Sequence, residues 1–258
     1  GGLIASNIAA EQIHVADQNV ATLESLTQRY PVQTFASNRE AIQGADVIIL
    51  AVKPQQLQDV IREISTDTRE NQLFISIAAG IRVDDIDRWL DKPRASIVRA
   101  MPNTPALVEA GATALFANEH VTHQQHELAE SILRACGVAI WLTDEKHMDA
   151  VTALSGSGPA YFFLVMEAME NAAVELGLPP ETARLLCLET AFGAAKMALE
   201  SGESASTLRQ QVTSPGGTTE RAIHELEDGG LHGLFENALV AAALRARELA
   251  NELGQDHA

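Results

Sequence analysis

Basic charge is scarce in this sequence. Its 258 residues hold 18 Lys and Arg against 35 Asp and Glu, a formal net charge of −17. A surface this acidic repels phosphate backbones, which argues against nucleic acid as a partner. A nucleotide cofactor stays compatible, because backbone dipoles bind phosphate locally even on an acidic protein. Cysteine is scarce too. Cys136 and Cys187 both stand in apolar helical contexts and read as buried thiols in a reducing compartment. No His/Cys cluster has metal-ligand spacing. His123 and His126 lie three apart without a cysteine or carboxylate pattern to complete a site, so a surface helix explains them and no metal is expected. No apolar run reaches about 18 residues and no charged-then-apolar leader opens the chain, which points away from membranes and towards the cytoplasm.

What is present suits a folded α/β protein. Hydrophobic residues make up 46% and charged residues 21%, and the length allows two modest domains or one large one. The first half alternates element types. Residues 12–17 and 32–35 predict short strands, with a helix between them in which Val20, Leu23, Leu26 and Tyr30 recur at helical spacing. Runs at 46–52, 73–79 and 96–101 are apolar on both faces, as parallel strands covered on each side are. Helices over 55–64 and 83–90 separate them, and strands at 112–117 and 138–142 flank a helix near 124–136. This alternation predicts a doubly wound α/β domain over residues 1–144. From Glu145 onward the strand pattern stops. Residues 160–176, 180–200 and 234–253 predict long helices, alanine-rich and apolar round much of their circumference. Such helices must bury more than one face. A domain of 145–258 offers little interior for that, so a homo-oligomer is expected.

Residues 1–7 read as the tail of a helix leading to the strand at Gln12. A dinucleotide-binding unit begins one element earlier, with a strand and a G-x-G-x-x-G turn. No such turn occurs here, and Gly1 and Gly2 follow no strand. The sheet is therefore expected to miss its first strand in this sequence, with roughly 15–20 residues preceding Gly1 in the parent chain.

Ligands of open α/β sheets lie outside the carboxyl ends of the strands. Three turns stand there. Ala51, Val52, Lys53 and Pro54 follow one strand, Ala78, Ala79 and Gly80 the next, and Asn103 sits in a proline-held loop after the third. Lys53 could meet a phosphate or ribose, and the small Ala78–Gly80 side chains let a flat ring approach the backbone. Asp17 closes the strand that carries the ribose acid of such sites and would favour a free 2′-hydroxyl. Asn38, next to Arg39, could instead serve a 2′-phosphate, so the residues leave NAD against NADP open. In the helical half, residues 155–161 read as a hinge before a helix. The strongest chemical signal is Val212-Thr-Ser-Pro-Gly-Gly-Thr-Thr219. Ser214 reads as an N-cap and Pro215 as the first helical residue. Gly216, Gly217, Thr218 and Thr219 would then present free N–H groups with little bulk, an anion site suited to a carboxylate.

Ala51-Val-Lys-Pro, Ser76-Ile-Ala-Ala-Gly, Arg99-Ala-Met-Pro-Asn-Thr-Pro-Ala, Leu154-Ser-Gly-Ser-Gly-Pro-Ala-Tyr and Val212-Thr-Ser-Pro-Gly-Gly-Thr-Thr stand in the order and spacing of pyrroline-5-carboxylate reductases. The resemblance covers essentially the whole chain. It implies a Rossmann-like domain and an all-α dimerisation domain, with dimers that assemble further into a ring. It places NADP(H) or NAD(H) on Asn38, Ala51–Pro54 and Ala78–Gly80, with Gln211 also touching the cofactor. The substrate carboxylate would lie on Ser214–Thr219, Thr219 would hydrogen-bond the ring nitrogen, and Glu145 matches a position near the substrate. The implied reaction reduces 1-pyrroline-5-carboxylate to L-proline, the last step of proline biosynthesis. Hydride adds to the imine carbon, and Thr219 is expected to position the nitrogen, since a threonine hydroxyl is a poor acid.

Two rivals remain. A β-hydroxyacid dehydrogenase would need a lysine acid, for which Lys196 is the comparable residue. A non-catalytic oligomeric remnant would explain the absent glycine loop.

Overall fold

The computed structural model describes residues 1–255, so the last three residues of the expected helical domain lie outside it. By internal contact the chain divides into two units. One is Gly1–Ser157 with the chain from Ala242 onward; the other is Gly158–Ala241.

The first unit runs α1 (Gly2–Ala5), β1 (His14–Ala16), α2 (Val20–Arg29), β2 (Gln33–Phe35), α3 (Asn38–Ala41), β3 (Val47–Leu50), α4 (Pro54–Ser65), β4 (Leu73–Ser76), α5 (Val83–Leu90), β5 (Ser96–Met101), β6 (Gly111–Ala117), α6 (His123–Arg134), β7 (Gly137–Trp141) and α7 (Met148–Val151). β1 and β2 pair in parallel as a separate two-stranded sheet. The other five strands form a sheet in the order β3-β4-β5-β6-β7. All its neighbours are parallel except β5 and β6. A parallel crossover needs a dozen or more residues, usually a helix. Only residues 102–110 join β5 to β6, so β6 turns back antiparallel.

Helices cover both faces of the larger sheet. Leu57, Ile61 and Ile64 of α4 and Ile86, Trp89 and Leu90 of α5 pack with Ile48, Phe74 and Ile97. On the opposite face Ala129, Ile132 and Leu133 of α6 meet Leu73, Ile75, Val98 and Leu115. Neighbours in β4 and β5 thus point to opposite cores, which is why those runs carry apolar residues on both faces. β3 departs from that expectation. It bonds to β4 alone, and Ile49 at its middle is 39% exposed along a free edge.

The second unit holds α8 (Gly158–Glu175), α9 (Pro180–Ser201), α10 (Ala205–Gln211), α11 (Thr218–Asp228) and the first part of α12 (Leu231–Leu253). Gly177, at φ +98, closes α8 in the left-handed region, and Pro180 opens α9. Residues 152–156 before α8 form a π-helical turn, which overlaps the expected 155–161 hinge only at residues 155 and 156. Of these helices' large side chains few are buried. Cys187 is buried, with its thiol directed at the Met166 carbonyl. Cys136 is only half-buried, which corrects its reading as a core thiol. His123 and His126 do lie on a surface helix, α6, where the His126 ring sits tilted against Trp141 with centroids 3.8 Å apart.

Candidate functional site

The expected cofactor residues other than Gln211 lie in the α/β unit. Ala51, Val52 and Lys53 link β3 to α4, with Pro54 as the first helical residue and Lys53 as N-cap. Ala51 and Lys53 are exposed, so the backbone of this turn is open. The β4 turn is more closed. Ala78 and Gly80 are buried and Ala79 half-buried. Gly80 has φ +74, which by itself requires glycine, and Leu249 and Ala250 of α12 lie against its Cα. Glycine here therefore serves the backbone conformation, since a Cβ would meet α12 only at ordinary contact distance. Asp17 follows β1 and accepts the Asn19 N–H at 2.8 Å. Asn38 opens α3, and its amide donates to Glu63 at 2.9 Å.

Asn103 and Glu145 are both engaged. The Asn103 carbonyl oxygen accepts from the Ala112 N–H at 2.9 Å, and its amide donates to the Ser155 carbonyl at 3.1 Å. It thus latches the β5 loop to β6 and to the π-helical turn. Glu145 lies on a short 3-10 turn capped by Asp144, whose carboxyl the Lys146 backbone N–H holds below the ordinary carboxylate range. One Glu145 oxygen accepts from the Arg99 guanidinium at 2.8 Å and from the Val83 N–H, at the start of α5, at 3.0 Å. Arg99 is buried within β5, so this pair ties β5, α5 and the 145–147 turn together.

The Ser214–Thr219 segment lies in the helical unit and corrects the expected cap. α11 starts at Thr218, and its N-cap is Gly217. Residues 214–217 form a turn instead, closed by Gly217 N–H donating to the Ser214 carbonyl at 3.0 Å. Pro215 in second place and Gly216 at φ +73 in third are the pattern of a type II turn. The Gly216 N–H is also taken, by the Glu220 carboxylate at 2.8 Å. Among the described residues, the donors left free therefore include Thr218 N–H, Thr219 N–H and the two threonine hydroxyls, on a helix N-terminus. Arg209 of α10 pairs with Glu227 of α11 and bridges the helices on either side of this turn. Gln211, last residue of α10, is exposed. Lys196 is 57% exposed on α9 and pairs with Glu200, a poor setting for an acid catalyst.

Residues 145–249 match the family model described as pyrroline-5-carboxylate reductase dimerisation. Residues 1–80 match the model described as NADP oxidoreductase, coenzyme F420-dependent. The chain is 48% identical over 255 residues to a pyrroline-5-carboxylate reductase of Pseudomonas aeruginosa, covering 99% of this chain and 93% of that protein. The chain belongs to the pyrroline-5-carboxylate reductase family. Its Arabidopsis thaliana member is 38% identical over 249 residues, 96% of this chain and 89% of that one. Among solved structures, the Coxiella burnetii reductase superposes with a TM-score of 0.92 at 50% identity, over 96% of this chain and 92% of that one. A Plasmodium falciparum member, solved with NADP bound, superposes at 0.85 with 29% identity, over 96% and 92%. The fold is accordingly Rossmann-like with a helical dimerisation domain, and the chain is an NAD(P)H-dependent oxidoreductase of this family.

Two residues escaped the sequence reading. Arg99 shows as a charge inside the apolar run Ser96-Ile-Val-Arg-Ala-Met101, a signal that it must find a buried partner. Glu220 stands in the first turn of α11, where a carboxylate reaching back to a preceding N–H is a usual device.

Proposed function

We propose that residues 1–144 hold NADH or NADPH and that residues 145–258 bind 1-pyrroline-5-carboxylate and reduce it to L-proline. The carrying observation is the turn before α11, where Thr218 and Thr219 leave N–H and hydroxyl donors unpaired beside two glycines. A small anion gains both the helix-terminal field and direct hydrogen bonds there. Thr218, Ser214, Gly216 and Gly217 shape the carboxylate seat, and the Thr219 hydroxyl positions the ring nitrogen. Asp17, Asn38, Ala51–Pro54, Ala78–Gly80, Asn103 and Gln211 belong to the nucleotide side, and the open backbone of Ala51–Lys53 fits a ribose or phosphate. A nicotinamide nucleotide held by these residues would supply the hydride that the imine carbon needs. Thr219 acts by orientation, and the proton on nitrogen comes with the substrate or from solvent.

Glu145 enters this scheme through position rather than contact, since its carboxylate is held by Arg99 and Val83. The working protein is a homodimer, further assembled as a ring of dimers, and resides in the cytoplasm, where two free thiols stay reduced. The net charge of −17 disfavours nucleic acid as a partner, and among the described residues no helix is long and apolar enough to cross a membrane.

Thr219→Ala tests the assignment. It should lower kcat/KM for pyrroline-5-carboxylate about 10–100-fold, the loss of one oriented hydrogen bond in a desolvated site. Nucleotide affinity should be unchanged. Parent-level turnover in Thr219→Ala would remove the threonine from the mechanism.

A further inference from the structure

Resting on that reading of the α/β unit as the nucleotide domain, we infer that Asp17 is the residue that sets nucleotide preference, and that it sets it towards NADH. In a doubly wound sheet the acid after the second strand bonds the adenosine ribose hydroxyls, whereas a nearby arginine accommodates a 2′-phosphate. The chain offers one candidate for each role, and their surroundings differ.

Asp17 follows the last residue of β1 and is half-buried. One carboxylate oxygen accepts the Asn19 N–H at 2.8 Å, which folds the group over the entrance to α2. Its second oxygen has no partner among the described residues and is left for hydroxyl donors. After Asp17 the next cation in the chain is Arg29, at the far end of α2, roughly 15 Å along a helix of that length. Nothing basic beside Asp17 on its own loop balances an added phosphate.

Arg39 is the alternative anchor, and it is committed elsewhere. Its Nε donates to the Glu63 carbonyl at 3.0 Å and lies 3.4 Å from the Asp67 carboxylate. The neighbouring Asn38 amide donates to the Glu63 carboxylate at 2.9 Å. Ser37 accepts from the Glu40 N–H as cap of α3. A 2′-phosphate placed at Asn38 and Arg39 would thus face the carboxylates of Glu63 and Asp67. At both places the extra negative charge of NADPH meets carboxylates, while the free hydroxyl of NADH meets an acceptor. Both nucleotides can bind; Asp17 sets their order.

The test is equilibrium titration of the protein with NADH and with NADPH, in the absence of substrate, followed by nucleotide fluorescence. NADH should bind about tenfold or more tightly than NADPH, the weight of one partly screened like-charge contact. Asp17→Asn keeps the acceptor for Asn19 but removes the charge, and should narrow the ratio to within about threefold. Arg39→Ala should leave the ratio unchanged. Equal or tighter NADPH binding by the parent, a ratio untouched by Asp17→Asn, or selective loss of NADPH in Arg39→Ala would each overturn the role of Asp17. Binding of neither nucleotide by the full-length parent chain, with the segment expected before Gly1 in place, would overturn the cofactor reading beneath it as well.

Discussion

In the α/β unit Leu57, Ile61, Ile75, Ile81, Ile86 and Ile97 are all 0% exposed, whereas Phe162, Phe163 and Phe192 of the helical unit are 67, 64 and 66% exposed. The two regions have similar apolar content and different means of hiding it. The first closes two cores within one chain, one on each face of a sheet. The second lays its apolar residues round helices that find too little within the unit to cover them. Exposed aromatic and aliphatic side chains on this scale mark an interaction surface. The dimerisation model that matches residues 145–249 says what kind. One half can thus close its cores within a single chain while the other awaits a second copy.

The sharpest way to break this contrast is to charge the helical surface. Phe192→Glu would strand an unpaired charge in an interface, at a cost of several kcal/mol. It should abolish the assembly, read as a fall to monomer mass in light scattering, while the α/β unit still melts cooperatively. Ile75→Ala, the matched change in the closed core, should do the reverse. It should destabilise by about 2–5 kcal/mol and leave the mass of the assembly unchanged. A monomeric parent protein would dissolve the comparison.

A somewhat smaller effect is expected at the ion pair. Glu145→Ala leaves Arg99 buried without its partner and the Val83 N–H unsatisfied, and should cost about 3 kcal/mol in urea unfolding. Arg99→Met with Glu145→Leu should recover most of it, since a well-packed apolar pair replaces a buried ionic one at little loss. The smallest effect belongs to Glu220. Glu220→Gln keeps a side-chain oxygen for Gly216 but removes a charge beside the proposed carboxylate seat. KM for pyrroline-5-carboxylate should fall about two- to fivefold at low salt, and the difference should vanish at high salt. An unchanged KM would place the substrate carboxylate elsewhere.

What was legible in the sequence follows from how local each feature is. β5 over 96–101 and α5 over 83–90 coincide with their expected bounds, because one carries apolar residues on both faces and the other carries them at helical spacing. The antiparallel turn into β6 required weighing the length of a loop against the crossover a parallel strand needs. Ser214 fits an N-cap by type, yet Gly216 at positive φ and Glu220 reaching back move the start of α11 to Thr218. Pairings across the chain left only half a trace. Arg99 announces a missing partner, but nothing in sequence points to Glu145, 46 residues on, or from Asn38 to Glu63, 25 residues on. The motif turns were identified as candidate sites, while the engagement of Asn103 and Glu145 is a matter of tertiary geometry.

One measurement bears on the activity more directly than any other. The protein is incubated with 1-pyrroline-5-carboxylate and NADH, and then NADPH, and loss of nucleotide absorbance is compared with proline formed. The account predicts proline in equal amount to nucleotide oxidised, at a rate proportional to protein and reduced in Thr219→Ala. Nucleotide bound but not oxidised, or oxidised without proline, would contradict it.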